Sequence, residues 1–227
     1  MESFDPVRAL GAYLTGEWVE NLRESTLPLS EKGVDQWDEK SRALEKLKQE
    51  VVVCKACTLY QQAKQAVFAD GTPYTPLVFV GEAPGEEEDN QGLPFVGRAG
   101  KLLTETLSKF GVSRSEVYIC NILKHRPPGN RTPTEEETIA CTPFLRKQLE
   151  IIQPKLIVAL GNSAAKYLLS TEEGITRTRG REHKSILDFP VFPTFHPAAV
   201  LRNYPAYYPL FEADIHQALM RVGLCRK

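Results

Sequence analysis

Cys54 and Cys57 form a Cys-x-x-Cys pair, the most chemically specific spacing in this chain. Such pairs hold zinc or an iron–sulfur cluster, or they carry out thiol–disulfide chemistry. A redox pair of the thioredoxin type would follow a strand and open a helix, whereas here the helical pattern comes before the motif. The pair therefore predicts half of a metal site, and two further ligands must come from elsewhere in the chain.

A second stretch that could do chemistry begins at residues 77–80, Leu-Val-Phe-Val, which predict a strand buried on both faces. Gly81, Pro84 and Gly85 then predict a tight turn in which the backbone can approach a ligand closely. Four carboxylates follow at residues 86–89. The alternative interpretation is a solvated acidic loop at a strand end.

The elements that must position these groups alternate between strand and helix from Val51 onwards. Alternation of this kind predicts parallel strands joined by right-handed helical crossovers. The expected fold is a three-layer α/β/α sandwich around a central, mainly parallel four-stranded sheet. The predicted strands are residues 77–80, 117–122, 156–160 and 191–195, and the predicted helices are 98–110, 134–152, 162–170 and 206–222.

Polar residues lie near or just beyond the end of each of the four predicted strands. They are Glu82, Asn121, the pair at 161–162 and His196. In open α/β sheets, ligands bind beyond the carboxyl ends of the strands. Four separate regions of the sequence are therefore expected to converge on one edge of the sheet.

The first fifty residues have a different pattern from the rest of the chain. A helix is predicted to start at Asp5-Pro6, a linker at 25–37 and a second helix at about 38–52. We interpret residues 1–50 as a helical extension of unknown role and residues 51–227 as the main domain.

Composition restricts the class of protein further. The net charge is −1, and no apolar run approaches the ~20 residues of a membrane span. The five cysteines are an odd number and no secretion signal is present, which argues against a disulfide framework and favours the cytoplasm. Basic side chains that could contact phosphate, or simply be solvated, cluster at Lys124, Arg126 and Arg131 and again at Arg177, Arg179, Arg181 and Lys184.

Two motifs together resemble a known family. Residues 81–89 (Gly-Glu-Ala-Pro-Gly-Glu-Glu-Glu-Asp) and 93–100 (Leu-Pro-Phe-Val-Gly-Arg-Ala-Gly) look like the first active-site motif of the family 4 uracil-DNA glycosylases, and 195–203 is similar to the second. The resemblance covers roughly residues 51–222. It implies a monomeric enzyme that flips uracil out of single- or double-stranded DNA and hydrolyses the N-glycosidic bond. A non-catalytic DNA-binding protein on the same fold and a small electron carrier are the alternatives.

The resemblance also implies roles for individual residues. Phe95 matches the residue that stacks on uracil, Asn121 the one that reads its edge, and His196 the one that binds O2 of the leaving base. Glu88, or alternatively Glu82, is the candidate for positioning the water or stabilising the sugar cation. The residues expected to contact substrate are Gly81, Ala83 (where family 1 enzymes carry an aspartate), Phe95, Asn121, the apolar wedge Leu201 and Arg202.

For the metal, the family's iron–sulfur enzymes use a cysteine within Lys-Cys-Arg-Pro-Pro and another in the following helix. This chain has Lys-His-Arg-Pro-Pro at 124–128, so the implied ligands of a 4Fe–4S cluster are Cys54, Cys57, His125 and Cys141. Histidine replaces cysteine in some biological clusters. Cys120 as the fourth ligand, zinc on the same residues, and loss of the cluster remain as alternatives.

Overall fold

The computed structural model describes residues 31 to 226. Residues 40–227 form one compact unit. The helix predicted from Asp5 lies outside the described residues. Residues 31–37, predicted as part of a linker, are helical instead.

From residue 77 onwards helices and strands alternate as the sequence predicts, and the predicted elements there have boundaries within two residues of the observed ones, whereas the helix predicted at about 38–52 begins seven residues before its predicted start. Three short 3-10 turns lie at Thr58–Gln61, Arg114–Glu116 and Pro128–Asn130. The helices are α1 (Glu31–Val52), α2 (Glu86–Gln91), α3 (Arg98–Lys109), α4 (Glu135–Ile152), α5 (Asn162–Leu169), α6 (Ile175–Thr178), α7 (Pro197–Arg202) and α8 (Tyr204–Val222). The strands are β1 (Asp70–Gly71), β2 (Leu77–Gly81), β3 (Tyr118–Asn121), β4 (Leu156–Leu160), β5 (His183–Lys184) and β6 (Pro190–Thr194).

Within residues 31–226 the sheet has six strands rather than the four predicted, in the order β1-β3-β2-β4-β6-β5. The four central strands run parallel, whereas β1 and β5 pair antiparallel to them at the two edges. Each edge strand is two residues long, which is too short to give a periodic signal in the sequence. The sheet is therefore mixed, with the predicted strands at its centre.

Successive residues of the central strands face opposite sides of the sheet and enter two separate cores. In β2, Val78 and Val80 pack with α1, α4 and α5, whereas Leu77 and Phe79 pack with α3 and α8. All five residues of β2 and of β4 are buried. Helices therefore cover both faces, and side chains cannot be exposed along the strands but only beyond their ends.

Helix α1 contributes to the first of these cores. Leu44, Leu47 and Val51 are buried there, and the Lys40 ammonium donates to the Ile152 carbonyl over 2.8 Å. Helix α1 continues across residue 50, where the sequence predicts the division between the helical extension and the main domain. That division stays a prediction. No helix in the described part of the chain is long and apolar enough to span a bilayer.

Truncation of Leu47 tests the contribution of α1. Leu47 is 3% exposed, so we expect Leu47→Ala to lower the free energy of unfolding by about 2–5 kcal/mol through lost burial and a residual cavity. Chemical denaturation measures the change, with the exposed Lys46→Ala as the matched control. Equal stability of the two variants would mean that α1 does not pack on the core.

Candidate active site and metal centre

Asn121 lies at the end of β3 with its side chain enclosed. It is 2% exposed, and its Oδ1 atom is buried without a hydrogen-bond partner among the described residues. An unsatisfied buried acceptor costs about 1–3 kcal/mol, so native proteins rarely retain one without a purpose. The atom is therefore suited to accept a hydrogen bond from a ligand.

Gly81 forms the wall beside this amide. A Cβ atom at position 81 would lie 2.4 Å from Asn121 Oδ1 and 2.6 Å from Cζ of Phe95. Both distances are below any real contact, so a larger residue would displace the amide or the ring. The glycine predicted for a close backbone approach thus brings an aromatic ring and an amide together at one strand end.

Phe95 completes this corner in an unusual backbone conformation. Its φ is +52°, in the left-handed region that non-glycine residues seldom adopt. Arg114 holds the turn from one side by donating to the carbonyls of Pro94 and, over 2.9 Å, of Phe95. Asp70 in turn accepts from Arg114 Nε over 2.6 Å. No local pattern in the sequence indicates this role of Arg114, because the side chain acts on backbone atoms.

Glu88 holds the same turn from the other side. Its Oε1 accepts from the amides of Val96 and Gly97, both over 2.9 Å, and its Oε2 accepts from the amide of Gly85 over 3.1 Å. Both carboxylate oxygens are thus engaged with backbone, joining the turn after β2 to the turn that carries Phe95. This arrangement favours a positioning role for Glu88.

Glu82 differs from Glu88 in this respect. It is half-buried directly after β2, and its carboxylate makes no hydrogen bond or ion pair with any described residue. It is therefore the carboxylate at this strand end that is available to a ligand or a water. Ala83, next along the chain, is also half-buried and carries no polar group.

His196 follows β6 and caps α7. Its Nδ1 accepts from the Ala198 amide over 3.1 Å, so in the neutral ring Nε2 carries the proton and is the free donor. Burial lowers the pKa of His196 to about 4; nearby Arg202 lowers it further, and Glu88 opposes the shift. The imidazole is therefore neutral at physiological pH.

The His196 ring lies beside the other pocket residues. Its centroid is 5.6 Å from that of Phe95, with the planes tilted by 34°. Gly161, at the end of β4, has φ +92°, and a Cβ there would be 2.7 Å from the Cβ of His196. Three of the four predicted strand ends thus supply Asn121, His196 and the glycine that makes room for the histidine.

Three of the four predicted metal ligands lie near one another. Cys54 and Cys57 follow α1, and the Cys141 thiol on α4 interacts electrostatically with both. Burial is the main cause that raises the pKa of Cys141 to about 11, and the Lys124 amide donates to its sulfur over 3.3 Å. The sulfurs therefore converge on one side of the molecule.

The predicted fourth ligand lies against the same region. His125 is 7% exposed and lines a cavity of about 150 Å³ together with Cys54. Burial lowers the pKa of His125, with Asp89 acting in the opposite direction, so the ring is neutral as a ligand requires. Among residues 31–226, however, no three His, Cys, Asp or Glu side chains lie close enough to hold a single metal ion.

Cys120 lies apart from this group. It is fully buried in β3, where burial raises the pKa of its thiol and Lys124 is its charged neighbour. It is not among the groups that interact electrostatically with Cys141. The arrangement favours the cysteines at 54, 57 and 141 over a set that includes Cys120.

Comparison with known proteins assigns the family. Residues 68 to 219 match the model of the uracil DNA glycosylase superfamily. A type-4 uracil-DNA glycosylase of Sulfurisphaera tokodaii is 46% identical over 183 residues, which is 76% of this chain and 81% of that protein. The type-4 enzyme of Thermotoga maritima is 49% identical over 161 residues (70% and 84%), and that of Archaeoglobus fulgidus 39% over 193 (82% and 94%). The chain belongs to the type-4 uracil-DNA glycosylase family.

In this type-4 chain, the second motif is more ordered than the sequence suggested. The family resemblance implies a loop at residues 201–203, whereas Leu201 and Arg202 form the last turn of α7, with Leu201 half-buried against the core and Arg202 exposed. Helix formation follows from Pro197 at the first turn and from the His196 cap. Leu201 and Arg202 are therefore presented on a helix rather than a free loop.

The basic side chains predicted to contact phosphate are partly committed to protein partners in this type-4 chain. Arg131 makes a two-bond ion pair with Glu137 over 2.6 and 2.8 Å. Arg126 donates to Asn130 over 2.7 Å and lies 3.8 Å from Glu86. Arg202 is exposed and is the better candidate for a backbone contact with DNA.

Titration of His196 tests the geometry of the pocket without any substrate. We expect the ring to remain neutral, with the proton on Nε2, down to about pH 4, because burial disfavours the cation. An unfolded chain takes this proton near pH 6.5, so the stability contributed by His196 should fall as the pH drops from 6.5 towards 4. Two-dimensional NMR of the imidazole nitrogens reads both properties, with His196→Gln to assign the signals. A midpoint near 6.5 would contradict the enclosed site.

Proposed function

We propose that the protein hydrolyses the N-glycosidic bond of deoxyuridine in DNA and leaves an abasic site, as a monofunctional uracil-DNA glycosylase of base excision repair. Membership of the type-4 family supports this reaction class. The observation that carries the proposal is the buried Oδ1 of Asn121, which has no hydrogen-bond partner among residues 31–226 and is enclosed by Gly81 and Phe95, whose ring centroid lies 5.6 Å from that of His196.

Base recognition follows from the chemistry of the amide. Asn121 Oδ1 can accept from N3–H of uracil while its amino group donates to O4. Cytosine has an acceptor at N3 and a donor at C4, so it would oppose both groups. Phe95 supplies a face for stacking, and Gly81 keeps that face and the amide within reach of one flipped base.

His196 supports departure of the base. As the bond breaks, negative charge develops on uracil O2, and the Nε2–H of a neutral imidazole can donate to it. The bond from the Ala198 amide to Nδ1 fixes the ring before the base arrives. Because the donor is preorganised, it stabilises the transition state without reorganisation at the moment of reaction.

The attacking water needs a group to hold it. Ala83 offers none, and both oxygens of Glu88 already accept backbone hydrogen bonds. We therefore assign the water, or the developing charge on the sugar, to Glu82, and assign to Glu88 the positioning of Phe95. Leu201 and Arg202 are proposed to contact the DNA beside the flipped base.

The donor set of Cys54, Cys57, His125 and Cys141 fits an iron–sulfur cluster in chemical type. Cys141 interacts electrostatically with Cys54 and Cys57, and the neutral imidazole of His125 lines the same cavity as Cys54. When bound, a 4Fe–4S cluster would link α1, the segment after β3 and α4. Its proposed ligands are not the residues of the base pocket. Zinc on the same residues is an outcome of the test below.

The oligomeric state of the protein, its location and the form of DNA on which it acts stay predictions. We propose that it acts as a monomer in the cytoplasm, on uracil in single- or double-stranded DNA. A glycosylase assay with matched uracil and thymine oligonucleotides, read by alkaline cleavage of the abasic product, tests the activity. Binding of uracil DNA without release of uracil would support the non-catalytic alternative.

Substitution of Asn121 tests the base pocket. Asn121→Asp should lower the single-turnover rate on uracil by about 10- to 100-fold, because a carboxylate cannot donate to O4. It should gain a small activity on cytosine, whose amino group can donate a hydrogen bond to the carboxylate. The control is Asn90→Asp at an exposed position. Full activity of Asn121→Asp on uracil would remove Asn121 from the pocket.

Metal analysis tests the ligand assignment. The purified wild type should absorb visible light and hold about four irons per chain. His125→Cys should keep the cluster, because it restores a ligand set of four thiolates, whereas His125→Ala should lose it. Cys120→Ala is the control and should retain its iron. If Cys120→Ala loses iron while His125→Ala keeps it, the fourth ligand is Cys120; a colourless protein that contains zinc would contradict the cluster.

A further inference from the structure

Arg179 is bound by protein groups although the sequence placed it in a basic cluster. Its Nε donates to Asp214 Oδ2 over 2.9 Å, and its Nη2 donates to Asp214 Oδ1 over 2.5 Å. Nη2 also donates to the Leu210 carbonyl over 3.0 Å. The guanidinium carbon lies 5.3 Å from the centre of the Phe195 ring. The two guanidinium nitrogens that could bind a phosphate therefore already donate to a carboxylate.

Asp214 connects this arginine to the end of β6. The carboxylate on α8 is 1% exposed, and Thr194 Oγ1 donates to its Oδ2 over 2.6 Å. A buried carboxylate is tolerated only when it is paired and hydrogen-bonded, and here Arg179 and Thr194 satisfy both conditions. Removing either partner leaves the charge undercompensated.

The residues held by this network directly precede His196. The Phe195 ring lies against Arg179 and also stacks on Tyr207, with centroids 4.4 Å apart. The Thr194 carbonyl accepts from the Gly161 amide over 2.9 Å. Side-chain and backbone contacts thus fix the two residues before the histidine, while the bond from Ala198 to Nδ1 fixes only the rotation of the ring.

We propose that Arg179, Asp214 and Thr194 form a positioning network that places the His196 imidazole for catalysis, and that Arg179 is not a phosphate contact. This inference rests on the proposed function of His196. A small shift of His196 would be enough for a measurable effect, because displacing a catalytic group by about 1 Å can lower the rate by as much as 10²-fold. The network reaches the pocket through β6 without touching the substrate.

Single substitutions give the first part of the test. Arg179→Gln and Thr194→Val should each lower the single-turnover rate on uracil DNA by about 10-fold, with DNA affinity and its salt dependence unchanged. Arg179→Lys and Thr194→Ser should retain more activity, because each keeps one bond to Asp214. Asp214→Asn would remove the charge at the centre of the network. If this variant fails to fold because the carboxylate is buried, Thr194→Val still tests the network, since it replaces only a hydroxyl group by a methyl group.

A double-mutant cycle separates positioning from general destabilisation. If the network acts through His196, Arg179→Gln should cause no further loss of rate in a His196→Ala background. Arg221→Gln is the matched control. Arg221 pairs with Glu182 over 2.9 Å, and its guanidinium carbon lies 5.6 Å from the ring centre of Phe192, which is in β6 like Thr194. We expect this control to have the wild-type rate.

Each contrary result has its own signature. A salt slope reduced by about one unit with an unchanged rate would make Arg179 a phosphate contact and overturn the proposal. Equal losses with and without His196 would also overturn it. If the wild type releases no uracil, the proposed function fails, but NMR still tests the network. The His196 ring signals should then shift in Arg179→Gln and in Thr194→Val. They should not shift in the control, Arg221→Gln. Unshifted signals would overturn the network independently of activity.

Discussion

The close approach of three groups at Gly81 is the constraint on which the rest of the pocket depends. The absence of a Cβ there lets the amide of Asn121 and the ring of Phe95 meet at the end of β2. Phe95 reaches this place only with a positive φ, a conformation that disfavours a bulky residue. Glu88 and Arg114 hold the turn from opposite sides through its backbone amides and carbonyls. The pocket is therefore assembled by contacts to the main chain before any base enters it.

Burial gives the polar groups of the pocket their chemical character. His196 is neutral because its recess disfavours the cation, and its acceptor nitrogen is already used by the Ala198 amide. Asn121 retains an acceptor that no residue in the described part of the chain satisfies, which would be unfavourable unless a ligand supplied the donor. Both groups thus present a defined hydrogen-bonding pattern, one acceptor and one donor, without rearrangement.

The base pocket and the proposed metal ligands share the segment that leaves β3. The Lys124 amide donates to the sulfur of Cys141, and its fully buried ammonium donates to the Asn121 carbonyl over 2.7 Å and to Gln148 over 2.6 Å. His125 follows directly. A linkage between α1, this segment and α4 would therefore also steady the strand end that carries Asn121. A cluster on the proposed ligands would therefore support the proposed base pocket while those ligands remain separate from it.

The sequence by itself determined the central strands, their parallel direction and the placing of Asn121 and His196 at the same edge of the sheet, because buried strands and their polar ends leave a local, periodic pattern. The two edge strands left no such pattern, since each has only two residues. Tertiary structure alone decided that Glu88 is bound by three backbone amides while Glu82 is available, and that Arg179 pairs with Asp214 instead of facing solvent. Those outcomes depend on contacts between residues far apart in the chain and on bonds from side chains to main-chain atoms. Neither kind of contact leaves a mark on local residue spacing.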